Sequence, residues 1–187
     1  MASVTRNPRP LFVTTLPAGY DGQEVFYQST TAGTGGGATN SMADVGAVYH
    51  LRYRAAASGS HKWEAVGVSN IYHNVEAEQS TSSTSYAALT TAGPLMTAPL
   101  AGEYLIGFGA HSVGSLASYG NIMSVELGTT ATDADSIQGN VRHPMMRVIK
   151  PTLTSGTTAL VTKYKAEAAN TSSFGKRWLQ ITPIRVG

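Results

Sequence analysis

Serine, histidine and aspartate all occur in this 187-residue chain, but they do not follow the spacing of a known hydrolase motif. A nucleophile elbow needs G-x-S-x-G on a tight strand-to-helix turn, which exposes the serine hydroxyl to substrate. The nearest match, Gly114-Ser115-Leu116-Ala117, lacks the closing glycine and a following helix. Paired carboxylates for glycoside hydrolysis stay an open alternative, because their separation in space is not a property of the sequence. We predict that the chain is not an enzyme and has no catalytic residues.

Metal and cofactor ligands follow no binding pattern either. The chain has no cysteine, which excludes disulfides, iron–sulfur clusters and thiolate zinc sites. Of the five histidines, His73 has Glu76 nearby, but residues three apart on a strand face opposite sides. The segment Asp133-Ala134-Asp135 resembles part of a calcium loop without its central glycine and terminal glutamate. We therefore predict no metal site and no cofactor.

Three aromatic side chains in one short region are the best candidates for contact with a ligand: Tyr49, Tyr53 and Trp63. If exposed, they would form a platform for stacking a sugar ring. If buried, they would pack in the core and across neighbouring strands, which is how large aromatic side chains are most often used. We favour the packing interpretation. On the same strands, Arg52 or Arg54 is expected to pair with Glu24 or Glu64.

The elements that must position these residues are strands, because the apolar residues alternate with period two. The predicted strands are Leu11–Leu16, Glu24–Gln28, Val45–Arg54, Lys62–Val66, Ile71–Glu76, Glu103–His111, Ile122–Leu127, Ala159–Lys165 and Arg177–Val186. Gly107 and Gly109 predict a close approach by a neighbouring group, and Pro183 predicts an edge position or a bulge. Only Ala87–Ala92 and Ala166–Ala169 are candidates for short helical turns.

Composition agrees with an all-β protein of low surface charge. Charged residues make up 13% of the chain, hydrophobic residues 42%, and the net charge is +2, which together argue against a disordered chain. The low charge and the 20 glycines argue against helical bundles. The sequence has no run of 18 consecutive apolar residues, so it predicts no transmembrane helix. We predict a small N-terminal β module over residues 1–69 and an antiparallel jelly-roll sandwich over residues 70–187.

Acidic and basic residues are separated along the second part of the chain. Residues 71–141 contain six acidic side chains and no lysine or arginine, whereas residues 142–187 contain eight basic side chains and one acidic side chain, Glu167. Because late strands of a jelly roll lie beside early ones, we expect the two sets to pair within or between subunits. The expected pairs combine Arg142, Arg147, Lys163 and Lys165 with Glu103 and Glu126. This pairing, and the lack of a contiguous basic run, argue against nucleic acid as a partner.

Three short motifs lie between Leu16 and Gly67. They are Asp21-Gly22-Gln23-Glu24-Val25, Leu51-Arg52-Tyr53-Arg54 and Lys62-Trp63-Glu64. In this combination they resemble a β module of tailed-bacteriophage virion proteins. The later segments Leu100-Ala101-Gly102-Glu103-Tyr104 and Phe174-Gly175-Lys176-Arg177-Trp178-Leu179 are similar to strands of the trimeric jelly rolls that follow this module. The chain departs from the module in its longer loop Thr30–Asn40, and from long tail fibres in having no coiled-coil or collagen-like shaft.

The resemblance implies a structural component of the phage virion, displayed on the particle surface as a capsid decoration protein, head spike or tail-associated knob of the minor tail protein type. It implies a homotrimer that is assembled in the host cytoplasm and contacts other virion proteins, such as the major capsid or tail proteins. The alternative is a receptor-binding tail fibre or spike tip that adheres to a host-surface glycan or protein, and a third hypothesis is a glycan depolymerase.

The first ten residues, Met1–Pro10, show no core pattern. Their prolines and arginines suit an extended arm that becomes ordered when it docks on another protein. We predict that this arm anchors the protein to the virion. The anchoring residues would be Arg6, Pro8, Arg9 and Pro10.

Overall fold

Strands make up most of the residues that the computed structural model describes, which are 11–30, 48–68, 71–115, 119–139, 143–154, 158–168 and 171–187. Within these ranges the helical structure is a single 3-10 turn, Asp133–Asp135. The described strands are β1 (Leu11–Val13), β2 (Glu24–Gln28), β3 (Val48–Tyr53), β4 (Trp63–Val68), β5 (Ile71–Val75), β6 (Gln79–Thr81), β7 (Leu95–Ala98), β8 (Gly102–Gly114), β9 (Asn121–Leu127), β10 (Ile137–Gly139), β11 (His143–Ile149), β12 (Thr152–Leu153), β13 (Thr158–Ala166) and β14 (Ser172–Val186).

The strands form two sheets that pack face to face. The larger sheet has the order β1-β2-β3-β4-β14-β8-β11, with β5 and β6 also paired to β14 and β12 paired to β8. The smaller sheet has the order β10-β9-β13-β7. The described strand pairs are antiparallel except for β1 with β2, which run parallel. The predicted all-β fold, an antiparallel sandwich, is therefore confirmed.

The C-terminal strand β14 organises the larger sheet. One of its edges pairs with β8 over nearly the full length, and the other pairs in turn with β6, β5 and β4. Pro183 lies between the last partner of β5, at Ile181, and the first partner of β4, at Arg185. A register shift in the β8 pairing also falls between Pro183 and Arg185. Because proline has no N–H to donate to a ladder, this bulge is the position that a central strand can give it.

The core fills the space between the two sheets. Alternate residues of β8, namely Tyr104, Ile106 and Phe108, are fully buried, and they belong to one hydrophobic cluster with side chains from the smaller sheet such as Leu160. The same cluster includes Leu51 on β3. The N-terminal strands thus share both a sheet and a core with the rest of the chain. The division into domains at residues 69 and 70 stays a prediction.

Each of the nine predicted strands overlaps a strand of the structure, although the bounds differ. Five further strands were not predicted: β6, β7, β10, β11 and β12. The expected helical turns at Ala87–Ala92 and Ala166–Ala169 were wrong over the residues that the structure describes. Ala87 forms a bridge with Tyr164, and Ala166 ends β13. A few alanines cannot outweigh the cost of starting a helix when a strand edge offers the same backbone groups partners.

Candidate functional site

The aromatic residues predicted from the sequence lie in the core. Tyr49 and Trp63 are buried in the hydrophobic cluster, and Tyr53 packs against it with its ring 5.3 Å from that of Trp63 in an edge-to-face arrangement. A sugar-stacking platform therefore cannot be built from the faces of Tyr49 and Trp63. The predicted anchoring residues Arg6, Pro8, Arg9 and Pro10 lie outside the described residues.

A different pair of aromatic side chains borders a groove of about 460 Å³ on the larger sheet. This volume is within the usual range of small-ligand sites, about 300–1,000 Å³. The groove lies over β5, β8, β11 and β14, on the face turned away from the smaller sheet. Its lining residues are Tyr72, Glu76, Ala110, His111, Pro144, Met145, Met146, Lys176 and Trp178.

Trp178 reaches this outer face because β14 contains a bulge. The residue pairs Gly175 with His111 and Trp178 with Gly109 show that β14 has one more residue than β8 over this stretch. Strict alternation from Phe174, which is buried, would have turned position 178 inward. The extra residue, Lys176, instead leaves Arg177 fully buried and turns Trp178 towards solvent. The bulge thus determines which side chain faces the groove.

The Trp178 indole lies flat against the sheet over two glycines of β8. A Cβ atom on Gly109 would lie 2.8 Å from the indole Nε1, and one on Gly107 would lie 3.2 Å from the ring atom Cζ3. The close approach predicted for Gly107 and Gly109 is therefore to this ring, and at Gly109 also to the backbone oxygen of Met145, which would lie 2.4 Å from the added Cβ. Any larger residue at Gly109 would push the indole off the sheet.

Tyr72, on the neighbouring strand β5, continues this aromatic surface. Its ring centre lies 6.5 Å from that of Trp178, and the two ring planes differ by only 22°. At this separation the rings lie side by side, offset from each other, rather than face to face. Tyr72 is 40% exposed, so the pair presents an accessible and nearly continuous aromatic surface.

Polar groups of three chemical types line the other side of the groove. The Glu76 carboxylate accepts a hydrogen bond from Asn74 through Oε1 at 2.7 Å. The Lys176 side chain is exposed, and its ammonium group has no hydrogen bond or ion pair to any residue that the structure describes. The half-buried His111 imidazole completes the set. A ligand in this groove would meet an acceptor, a donor and an imidazole beside an aromatic surface.

A second groove, of about 440 Å³, lies at the smaller sheet and has its charged groups already paired. Lys165 contacts Asp133 at 2.6 Å and lies 4.6 Å from the centre of the Tyr86 ring. Burial and a hydrogen bond to Asp133 raise the pKa of Tyr86 to about 12. Glu167 accepts hydrogen bonds from Gln138 and from the backbone N–H of Gly120. Because these groups satisfy one another, they form a structural network rather than an open ligand site.

Arg177 holds the bulge from inside the protein. Its two terminal nitrogens donate to the backbone carbonyls of Thr91 at 3.1 Å and Ala77 at 3.2 Å. The guanidinium carbon also lies 5.5 Å from the centre of the Tyr164 ring. These contacts stabilise a buried cation through carbonyl dipoles and an aromatic face. They fix Arg177 inward and so keep its neighbour Trp178 outward.

The predicted pairing of acidic and basic residues is confirmed for part of the set. Lys163 pairs with Glu126 at 3.4 Å as expected, whereas Glu103 pairs with Lys150 at 3.3 Å and Lys165 pairs with Asp133 at 2.6 Å, which are partners that the sequence did not indicate. Arg147 was expected to contact a carboxylate, but its guanidinium donates to the backbone carbonyls of Ala134 and Ser136. The 3-10 turn that precedes β10 brings these carbonyls to β11, where they accept the hydrogen bonds of the guanidinium. Arg142 lies outside the described residues.

The N-terminal strands carry the cross-strand ion pairs that the sequence predicts. Glu24 contacts Arg52 at 2.6 Å and His50 at 3.0 Å, and Arg54 contacts Glu64 at 2.8 Å. The hydrogen bonds from Arg52 and then His50 hold the pKa of the Glu24 carboxyl below its usual value. These pairs join β2, β3 and β4 on the outer face of the larger sheet.

Two further findings concern the residues that the structure describes. No group of three or more histidine, aspartate or glutamate side chains lies close enough within these ranges to hold a metal ion. No described helix is long and apolar enough to cross a membrane.

Comparison with known proteins gives a distant structural likeness. No protein-family model matches the chain, and no curated protein matches it. Among solved structures, the C-terminal CBM6 of LamC, a marine laminarinase from Zobellia galactanivorans, is similar with 15% identity and a TM-score of 0.32. The match covers 61% of this chain and 99% of that chain. At this TM-score the likeness carries no argument about function, so the groove must be interpreted from its own geometry.

Sequence patterns gave one usable signal for this groove. The glycines on either side of Phe108 indicate that something large lies on the outer face of β8, and Trp178 is the large side chain on the strand next to it. The contributions of Tyr72, Glu76 and His111 had no such signal, since each is an ordinary residue of its own strand or strand end.

Proposed function

We propose that this chain is a non-catalytic glycan-binding protein carried on the surface of a bacteriophage virion. The observation that carries the glycan-binding part is the accessible aromatic pair, Tyr72 and Trp178, bordered by Glu76, Lys176 and His111. The C–H face of a sugar ring packs on an aromatic surface, and its hydroxyl groups need donors and acceptors beside that surface. The groove offers both within one sheet face, and its chemistry suits a host-surface glycan.

The virion part of the proposal is supported by the resemblance of residues 16–67 to the phage module. Display on the particle would make the groove available for host attachment. The arm Met1–Pro10 is the proposed anchor. Its deletion should leave a folded oligomer that no longer attaches to particles, and failure of the truncated chain to fold would contradict an anchoring role.

We also propose that the chain assembles as a cyclic homotrimer. Large apolar side chains that do not line the groove are exposed on both end strands of the larger sheet: Leu11 and Phe12 on β1, and Val148 on β11. A contact between β11 of one copy and β1 of the next would cover both sets, and head-to-tail contacts of this kind close into rings. Light scattering should give a mass about three times 19.6 kDa, whereas a mass near 19.6 kDa at micromolar concentration would contradict the trimer.

A purely structural role, as a capsid decoration protein without a ligand, is the second candidate function. The exposed apolar residues on β1 and β11 favour it, because they suit assembly and need no ligand. Antibody labelling of whole virions in negative stain would locate the protein on head or tail. Binding measurements then separate a decoration protein from an attachment protein.

The binding experiment compares wild type with Trp178→Ala and Tyr72→Ala on immobilised oligosaccharides and on host cell envelopes. Loss of a packed aromatic ring is worth about 1.5 kcal/mol or more, so we expect affinity to fall at least about tenfold. Tyr20→Ala is the matched control, since Tyr20 is 58% exposed and lies outside the groove. If wild type and Trp178→Ala bind alike, or neither binds, glycan binding through this groove is wrong.

A further inference from the structure

Lys176 has an unusual backbone conformation. Its φ angle is +47°, and among the described residues only Ala168 is another non-glycine residue with a positive φ angle. This left-handed region is unfavourable for any residue with a Cβ, and lysine is not among the residues that adopt it readily. Such strain in a folded protein is concentrated at ligand and active sites.

On this basis, and resting on the proposed glycan-binding function, we infer that Lys176 and Glu76 together select a neutral glycan. The Lys176 ammonium group donates to one sugar hydroxyl, and a neighbouring hydroxyl donates to Glu76, while the sugar ring packs on Trp178. Lys176 is thus a specificity-determining residue, held in its strained conformation by the bulge.

The backbone brings the two polar groups to the same place. The Lys176 backbone N–H donates to the Glu76 carbonyl oxygen at 3.4 Å, so both side chains begin at adjacent points of the groove edge. Their charged ends nevertheless form no ion pair with each other. Asn74 holds Glu76 through Oε1. Oε2 of Glu76 and the Lys176 ammonium are left as an acceptor and a donor on side chains that start from the same edge of the groove.

The local charge favours a neutral ligand over an acidic one. Lys176 and Glu76 cancel, and a second carboxylate, Glu78, lies beside the bulge, with its Cβ 3.3 Å from where a Cβ on Gly175 would be. The buried Arg177 points away from the groove and is held by backbone carbonyls. Two carboxylates and one ammonium group thus lie at this edge, so a uronate or sialate carboxylate would meet more negative than positive charge. A neutral sugar diol can both donate and accept, which matches the pair.

The test replaces Lys176, the residue with the positive φ angle, with glycine. Lys176→Gly removes the ammonium group and at the same time relieves the left-handed backbone, since glycine adopts this region without cost. We expect a melting temperature equal to or above that of wild type, together with an affinity at least about tenfold lower for neutral oligosaccharides, as for loss of a hydrogen bond to a charged group. Ala168→Gly is the matched control, because it relieves the other strained position, which lies outside the groove. Its affinity should equal that of wild type.

The probes are a panel of neutral oligosaccharides built from glucose, galactose and mannose and a panel of acidic ones containing uronate or sialate. Preference for the neutral panel, and a gain of acidic binding in Glu76→Gln with Glu78→Gln, would support the inference. Preference of wild type for acidic glycans would overturn it. Unchanged affinity in Lys176→Gly, or a lower melting temperature, would also overturn it. If Trp178→Ala still abolishes binding in those cases, the proposed function stands, whereas a panel that fails to bind wild type overturns both.

Discussion

Replacing Gly109 with alanine should displace the Trp178 indole from the larger sheet. The added Cβ would lie 2.4 Å from the backbone oxygen of Met145 and 2.8 Å from the indole Nε1. Neither distance is compatible with real contacts, so both the ring and the neighbouring strand must move. Overpacking of this kind costs about 1–3 kcal/mol of unfolding free energy. For a chain of this size the melting temperature should fall by roughly 2–12 °C.

Gly107→Ala provides a graded comparison on the same strand. Its Cβ would lie 3.2 Å from the indole ring and 3.9 Å from Val148, which small adjustments of two side chains can accommodate. We therefore expect a loss of less than about 1 kcal/mol, at the low end of the range for overpacking. The order of stability should be wild type, then Gly107→Ala, then Gly109→Ala.

Tryptophan fluorescence measures the displacement directly. The chain has two tryptophans, and Trp63 is buried in the core, so it serves as an internal reference. In Gly109→Ala the emission should shift to longer wavelength, and acrylamide should quench a larger fraction of it, because Trp178 becomes more exposed. Glycan affinity should fall in parallel. Unchanged emission together with a melting temperature within experimental error of wild type would refute the placement of the indole over Gly109.

Three further predictions concern the network around the groove and the module. Arg177→Ala should lower the unfolding free energy by roughly 3 kcal/mol or more in chemical denaturation, because a fully buried side chain and its two hydrogen bonds to backbone carbonyls are lost. The pKa of Glu24 is lower in the folded chain than its value near 4.5 in the unfolded chain, so the ionised carboxylate stabilises the fold above pH 4.5 and this contribution is lost as the pH falls through the folded pKa. Glu24→Gln should therefore cost about 1 kcal/mol of unfolding free energy at pH 7, and its melting temperature should depend less on pH below pH 5 than that of wild type. Lys163→Glu should lower the melting temperature slightly at low salt but little at 1 M salt, and Glu126→Lys in the same chain should restore it.

The sequence by itself determined the fold class and the positions of the three longest strands, β8, β13 and β14. Tyr104, Ile106 and Phe108 recur at every second position, and this period-two pattern has a stable outcome only when one face of a strand is buried. Pro183 predicted an edge position or a bulge, because its missing N–H is a local property that no packing can change, and the structure shows the bulge. The ion pairs of Glu24 with Arg52 and of Arg54 with Glu64 could also be predicted, because they join strands that follow one another in the sequence.

Strand β11 was missed because its sequence, His143–Ile149, carries exposed methionine and valine on the outer face and so shows no clear alternation. The short strands β6, β10 and β12 have two or three residues each, which is too few for a period to be visible. Their pairing is imposed by the longer neighbours β14, β9 and β8. The structure of these segments is therefore a consequence of the sheet and not of their own residues.

The groove was decided by tertiary structure alone. Tyr72 and Trp178 are more than a hundred positions apart, and only the pairing of β5 with β14 brings them together. Which way Trp178 faces depends on one extra residue in β14, and that bulge is held by Arg177 through carbonyls of two distant loops. A local pattern contains no information about such partners, because the free energy that selects them comes from burying the cation and closing the sheet around it.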